Sequence, residues 1–177
     1  MKVVDIMITM QWFFGEIDDL SDAHSIRRTV FIDEQKVSEE EEYDGTDGAC
    51  IHIVAYDGEI PVSTARVMIN PPVGTIDPGT GETITHNDFI IGRVATLKSH
   101  RGKGLGRAVM ESLIKSCAMM GGNRQILHAQ LTAKEFYEKI GFTPYGKEFE
   151  EAGIRHIAME HFGSVKCCSS TAAHYNQ

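Results

Sequence analysis

The chain has no apolar run approaching the ~18–20 residues that a membrane-crossing helix requires. Its first residues, Met1-Lys2-Val3-Val4-Asp5, lack the long apolar stretch of a secretory signal, so a cytoplasmic location is expected. Cysteine is scarce: the four residues are Cys50, Cys117, Cys167 and Cys168, and none form a Cys-x-x-Cys pair. Cys50 and Cys117 have apolar neighbours, where a free cysteine packs as a small hydrophobe, and reduced thiols are expected throughout. The eight histidines are scattered, and His156 and His161 have no partner at helical or zinc-finger spacing, so no metal is expected. Basic residues are the minority, 17 Lys and Arg against 25 Asp and Glu, for a net charge of -8. That balance argues against general nucleic-acid binding and mildly favours cationic partners. No Gly-x-x-x-x-Gly-Lys-Ser/Thr string occurs, and the dinucleotide string Gly-x-Gly-x-x-Gly would need glycine where Arg107 stands.

What the chain does have is Arg101-Gly102-Lys103-Gly104-Leu105-Gly106. The apolar run Phe89 to Leu97 before it reads as a buried strand. After it, Leu105, Val109, Leu113, Cys117 and Met120 recur at spacings of four and three and make one apolar helix face. The glycines therefore lie at a strand-to-helix junction. There, free backbone N–H groups and the positive end of the helix dipole suit a phosphate or pyrophosphate, and Arg101 and Lys103 add charge. On its own such a string is also at home in an ordinary glycine-rich turn.

Arg101, Gly104 and Gly106 fit the form Arg/Gln-x-x-Gly-x-Gly/Ala, which resembles the acetyl-coenzyme-A signature of the GNAT-type N-acetyltransferase superfamily. About thirty residues on, Ala133-Lys134-Glu135-Phe136-Tyr137-Glu138-Lys139-Ile140-Gly141-Phe142 resembles the family's second signature, a short helix with a tyrosine followed by Gly-Phe entering a strand. The segment Arg27 to Gln35 is similar to the first helix of a small bacterial, single-domain subgroup. The resemblance spans roughly residues 3 to 162. It implies an α/β, GNAT-like acyl-CoA N-acyltransferase fold: a central, mostly antiparallel mixed sheet, flanked by helices, whose parallel fourth and fifth strands splay apart.

Along the chain, the expected order is β-α-α-β-β-β-α-β-α-β-β. Val4 to Met10 reads as a strand ended by the aromatics Trp12, Phe13 and Phe14. Asp18 or Asp19 is expected to cap a helix running to about Gln35, with Ala23, Ile26, Arg27, Val30 and Phe31 on its inner face. In the acidic run Ser38 to Asp47, Glu39 and Glu40 read as a solvated face. Strands follow at Cys50 to Tyr56 and Ile60 to Ile69 around an Asp57-Gly58 turn. Residues 70–87, rich in Pro, Gly and Thr, form a long excursion that either shapes the substrate site or is a surface insertion. Gly121-Gly122-Asn123 ends the long helix. Gln125 to Ala129 is a fifth strand, parallel to the fourth. Ala133 to Ile140 is a short helix, and Phe142 to Tyr145 and Ile154 to Phe162 are closing strands. Residues 1–163 make a single domain, and 164–177 a C-terminal extension expected to be weakly ordered.

The resemblance implies transfer of an acetyl group from the cosubstrate acetyl-CoA directly to a primary amine of a small acceptor. Arg101, Gly102, Lys103, Gly104, Leu105 and Gly106 would bind the pyrophosphate. Backbone groups of Val94, Ala95 and Thr96 would bind the pantetheine arm, one N–H serving the thioester oxygen. Tyr137 would be the general acid, since a phenol with a reference pKa near ~10 is protonated at neutral pH and can supply a thiolate. The family has no fixed base; Glu42, Asp44, His52 and His128 are candidates, and a carboxylate between Glu41 and Asp44, Glu42 or Asp44 foremost, is the expectation. Arg66 and Arg93 fall on expected central strands, where a charge needs a partner. They either form salt bridges or bind an anionic group of the substrate. The acceptor itself stays open, and a homodimer is common in the family. A different class, a non-catalytic acyl-CoA sensor on the same fold, would keep the glycine loop but need no thiolate acid.

Overall fold

The computed structural model describes residues 7–69, 71–85, 88–122 and 124–163. The strand start expected at Val4, Asn123 and the 164–177 extension, with Cys167 and Cys168, lie outside them. The elements are β1 (Ile8–Phe14), α1 (Ser21–Arg27), α2 (Glu39–Glu42), β2 (Cys50–Asp57), β3 (Ile60–Met68), β4 (Asp88–Thr96), α3 (Leu105–Met119), β5 (Arg124–Gln130), α4 (Lys134–Glu138), β6 (Thr143–Glu151) and β7 (Ile154–Phe162). They follow the expected order. One seven-stranded sheet results, ordered β1-β2-β3-β4-β5-β7-β6 and antiparallel except for β4 with β5.

The alternation of strand side chains builds two cores. On β2, Ile51, Ile53 and Ala55 face one way and join Val109, Met110, Leu113 and Cys117 of α3. Val54 and Tyr56 face the other way and join Ala23 and Ile26 of α1. With helices on both faces, β2 is buried almost throughout, which explains its near-continuous apolar run. β7 enters between β5 and β6 because Ala158 and Met159 are apolar enough to be fully buried, while β6 is mostly exposed and takes the edge.

Several local expectations change. Trp12, Phe13 and Phe14 lie within β1 rather than ending it. Neither Asp18 nor Asp19 is the N-cap of α1; Leu20 holds that place, while Asp19 accepts the Ser21 N–H and Asp18 the Phe14 N–H. The helix leaves α geometry after Arg27 and runs on as a wider π-helical segment, Arg28–Glu34, with Gln35 N–H donating to the Val30 carbonyl. The hairpin turn between β2 and β3 is Gly58-Glu59, one residue later than expected, with Gly58 at φ 64°. Met120 lies beyond the end of α3 and is 44% exposed, so it is not part of the apolar face. Strand β6 extends to Glu151, through a stretch expected to be a connection.

Candidate active site

Parallel pairing of β4 with β5 runs from Asp88↔Arg124 to Ile91↔Leu127 and stops. Beyond it, β4 keeps its contacts to β3, and His128 to Gln130 pair with β7. The divergence has a local cause. Arg93 takes a left-handed φ of 52°, and the register against β3 slips there, so that Arg93 and Val94 together oppose Ala65. Such a bulge bends its strand and re-aims side chains: Phe89 and Ile91 face the α3 core, whereas Ala95 faces the α1 core. A cleft of about 670 Å³ opens at the divergence, lined by Val94, Ala95 and Thr96 of β4, Leu127, His128 and Gln130 of β5, and Tyr137 of α4. Its volume suits a ligand of moderate size. The edges of β4 and β5 that face one another across the gap have lost their ladder partners, and such backbone groups call for an extended ligand or water.

The glycine loop lies at the rim. Gly102 and Gly104 take φ of 74° and 81°, and Gly104 sits at the N-cap of α3 with no side-chain cap. The first N–H groups of α3 are thus left without helical partners. Gly106 packs on β4: an added Cβ would come within 3.2 Å of Thr96 Oγ1. Arg101 lines the cleft, but its guanidinium reaches across to Glu34, with Nη1 and Nη2 donating at 2.6 and 2.7 Å, while its Nε donates to the Thr96 carbonyl. Near it, Gln130 Nε2 donates to Gln35 Oε1 at 2.8 Å. Together these contacts tie the π-helical segment to the glycine loop and to the end of β5. Lys103 is exposed.

Tyr137 is 8% exposed, with Phe136 and Phe142 packed edge-on to its ring at 5.0 and 6.0 Å between centroids. Burial pushes its hydroxyl well above the ordinary phenol range, so it carries its proton at any pH near neutrality.

At the other end of the cleft, three arginines and three carboxylates form a network, with His24 Nε2 also 3.0 Å from Asp47 Oδ2. Arg27, 0% exposed on α1, donates to Glu42 Oε1 at 2.5 Å and to both Asp47 carboxylate oxygens at 2.8 and 2.9 Å. Arg66 donates to both oxygens of Asp44 and to Asp47. Arg93 lies 3.0 Å from Glu42 Oε2, donates to Asp44 Oδ2, and also reaches the carbonyls of Glu41 and Glu42. Burial opposes ionisation of Asp44 and Asp47, but hydrogen bonds from Arg66 and Thr46 to the first, and from Arg27 and Arg66 to the second, hold both carboxyls well below the usual range. The proton-accepting role expected of Glu42 or Asp44 fits this geometry poorly. Glu42 is 2% exposed with an oxygen on each of two guanidiniums, and a carboxylate as strongly stabilised as Asp44 is a weak base. Of the two readings of Arg66 and Arg93, salt bridging is the one seen.

The histidines separate. His52 is buried in the sheet, its Nε2 at 3.2 Å from the Asp47 carbonyl and outside the cleft lining, and burial lowers its pKa. His128 and His156 line the cleft. His128 Nδ1 lies 3.3 Å from Glu151 Oε2, and its buried Nε2 has no hydrogen-bond partner. His156 Nδ1–H donates to the Ile154 carbonyl at 2.8 Å, which leaves the lone pair on Nε2. From 70–87, Pro72 and Thr75 reach the cleft wall, and Asp77 is pinned by the Tyr145 hydroxyl, so at least part of the excursion shapes the site. The sequence alone does not mark Asp47, Glu151, His156 or the ion-pairing role of Arg27. For Arg27 there is only an indirect signal: a basic residue within an apolar helix stripe needs a buried partner.

The sequence matches the acetyltransferase (GNAT) domain family over residues 26–161. It is 38% identical over 143 residues to the uncharacterised N-acetyltransferase YjcF of Bacillus subtilis, covering 80% of this chain and 91% of that one. The crystal structure of Escherichia coli ElaA superposes with a TM-score of 0.71 at 26% identity, covering 88% of this chain and 99% of that one. An acyl-CoA N-acyltransferase from Pseudomonas aeruginosa shares the fold at a TM-score of 0.69 and 24% identity, over 88% and 99% of the two chains. By motif, sheet topology and kinship alike, this chain belongs to the GNAT acetyltransferase family, alongside small bacterial members.

Proposed function

We propose that the protein transfers the acetyl group of acetyl-CoA directly to a primary amine of a small acceptor. The observation that carries this reading is the cleft where β4 and β5 part, with the buried Tyr137 on its wall and the uncapped start of α3 at its rim. The residues suit the donor. The α3 N–H groups and the turn Arg101-Gly102-Lys103-Gly104-Leu105-Gly106 offer a pyrophosphate site. The backbone of Val94, Ala95 and Thr96 offers strand-like hydrogen bonds, one N–H acting on the thioester oxygen. Glu34 holds Arg101 in the free protein, so an arriving phosphate competes with a carboxylate for that guanidinium.

A thioester is already activated, so no covalent intermediate with the protein is needed. The cleft holds the neutral amine against the carbonyl carbon; the N–C bond forms, the C–S bond breaks, and Tyr137 gives its proton to the leaving sulfur. We assign the proton lost by the amine to the Nε2 lone pair of His156, and give Glu42, Asp44 and Asp47 the task of fixing the three arginines.

Thiol release at saturating substrates tests the reading. Tyr137→Phe and His156→Gln are each expected to lower kcat by about 10²-fold or more, with acetyl-CoA affinity by calorimetry little changed. Undiminished turnover would remove the residue concerned from the mechanism. Tight acetyl-CoA binding without thiol release from any amine would favour the sensor alternative.

A further inference from the structure

The charge balance of the cleft discriminates among amines. Each guanidinium at the acceptor end is shared by two carboxylates: Arg27 by Glu42 and Asp47, Arg66 by Asp44 and Asp47, Arg93 by Glu42 and Asp44. Every guanidinium is thus matched, with His24 Nε2 also 3.0 Å from Asp47 Oδ2, so no guanidinium there is left over for a substrate carboxylate or phosphate. The remaining arginine on the lining, Arg101, belongs to the glycine loop and is held by Glu34. No lysine is among the described residues that line the cleft.

Two lining carboxylates stand outside that network. Glu41, on α2, is exposed and accepts from the Ser38 hydroxyl. Glu151, at the end of β6, faces His128 Nδ1. The hydrogen bond from His128 holds the Glu151 carboxyl below the usual carboxylate range, against the opposing effect of burial. The acceptor end thus has two carboxylates, on α2 and on the β6–β7 hairpin, that no arginine or lysine among the described residues of the lining pairs with.

Resting on the acetyltransferase reading above, we propose that the acceptor is dicationic: an alkyl diamine or polyamine whose one nitrogen is acetylated while a second, as an ammonium, is held by Glu41 and Glu151. Amines that carry a carboxylate are rejected, because their negative end meets these two carboxylates and finds no free cation.

The test compares three acceptors of similar length, 1,4-diaminobutane, butylamine and 4-aminobutanoate, on the full chain. Binding is measured by calorimetry without acetyl-CoA, and turnover by thiol release with it. The diamine is expected to bind most tightly and more weakly at high salt. Each of Glu41→Gln and Glu151→Gln should weaken diamine binding by roughly 2- to 5-fold, and the pair by about 10-fold, as partly exposed ion pairs do. Butylamine should change much less. Equal handling of diamine and monoamine, or a preference for the aminoacid, would overturn the dication site while any thiol release upheld acetyl transfer. Salt-sensitive diamine binding without thiol release would uphold the site and count against the reaction. Should either variant fold poorly, judged by its thermal midpoint, the comparison among the three acceptors on the wild-type chain still decides.

Discussion

Arg27 illustrates how one side chain can fix a site that it does not line. It is fully buried on the inner face of α1, yet it joins Glu42 of α2 to Asp47 ahead of β2. Glu42 and Asp47 then position Arg93 and Arg66 at the cleft wall. Ion pairs of this kind add little net stability, since desolvation consumes most of the Coulomb gain. Breaking one from a single side is different, because the partner stays buried and charged. Arg27→Met is therefore expected to cost ~3–5 kcal/mol, read as a lower urea midpoint at constant slope. The double variant Arg27→Met, Glu42→Gln should recover part of the loss. A single variant as stable as the wild type would show that Glu42 and Asp47 are already satisfied by Arg66 and Arg93.

Among the elements, β4 matters most to the cleft. Its bulge at Arg93 moves the strand out of phase with β3 and ends its pairing with β5 after four residue pairs. The left-handed φ of Arg93 is uncommon for a side chain of that size, and its bonds to Glu42 and Asp44 and to two α2 carbonyls hold it there. The end of β1 is the second element with an outsized effect. Gly15 N–H donates to the Cys50 carbonyl, and a Cβ at Gly15 would overlap the Asp47 carbonyl oxygen. Gly15 is thus a close-approach glycine, not a hinge. Gly15→Ala must push the Asp47 turn away, and with it the carboxylate shared by Arg27 and Arg66. A destabilisation of about 1–3 kcal/mol is expected, accompanied by a higher acceptor KM but an unchanged acetyl-CoA KM. An equal rise in both would mean that the displacement reaches the glycine loop as well.

At the scale of the whole molecule, the network gives stability a dependence on pH. Asp44 and Asp47 have folded-state pKa values below those of the unfolded chain. The native state therefore binds fewer protons than the unfolded state in acid. Their contribution is complete above the unfolded carboxylate value of about 4 and is lost as pH falls below it. His52 acts in the same direction in a higher window: burial lowers its pKa, so stability begins to fall below the unfolded histidine value of about 6.5. Urea midpoints measured from pH 8 to 3 should thus decline in two stages, with solvent screening moderating the lower one. Replacing Arg66 by Met should flatten the stage below about pH 4, since it removes a partner of both aspartates. A lower stage as steep in that variant as in the wild type would assign the acid sensitivity elsewhere. Cysteine oxidation at the two described thiols is not expected to intrude: Cys50 and Cys117 are buried and free, and burial pushes the Cys117 thiol up to about 12.

Much of the architecture could be read from neighbours in the chain, because its causes are local. The strand before Arg101, the glycine turn and the apolar stripe of α3 follow from periodicity and backbone freedom, and so does the crossover that makes β4 and β5 parallel. The motif around Tyr137 singled out a residue that the fold places on the cleft wall. Contacts between distant residues were not legible. Nothing near Arg93 announces a left-handed bulge, because its stabilising partners, Glu42 and Asp44, lie about fifty positions earlier. Within the acidic run Ser38 to Asp47, Glu39 and Glu40 stay in water as their sequence suggests, but Glu42 is buried, and Asp44 and Asp47 are taken up by arginines from α1, β3 and β4 instead of being left to accept a proton. A charge shows its sign in the sequence. Whether it is spent on a neighbour or left for a substrate depends on which other charges the sheet brings beside it.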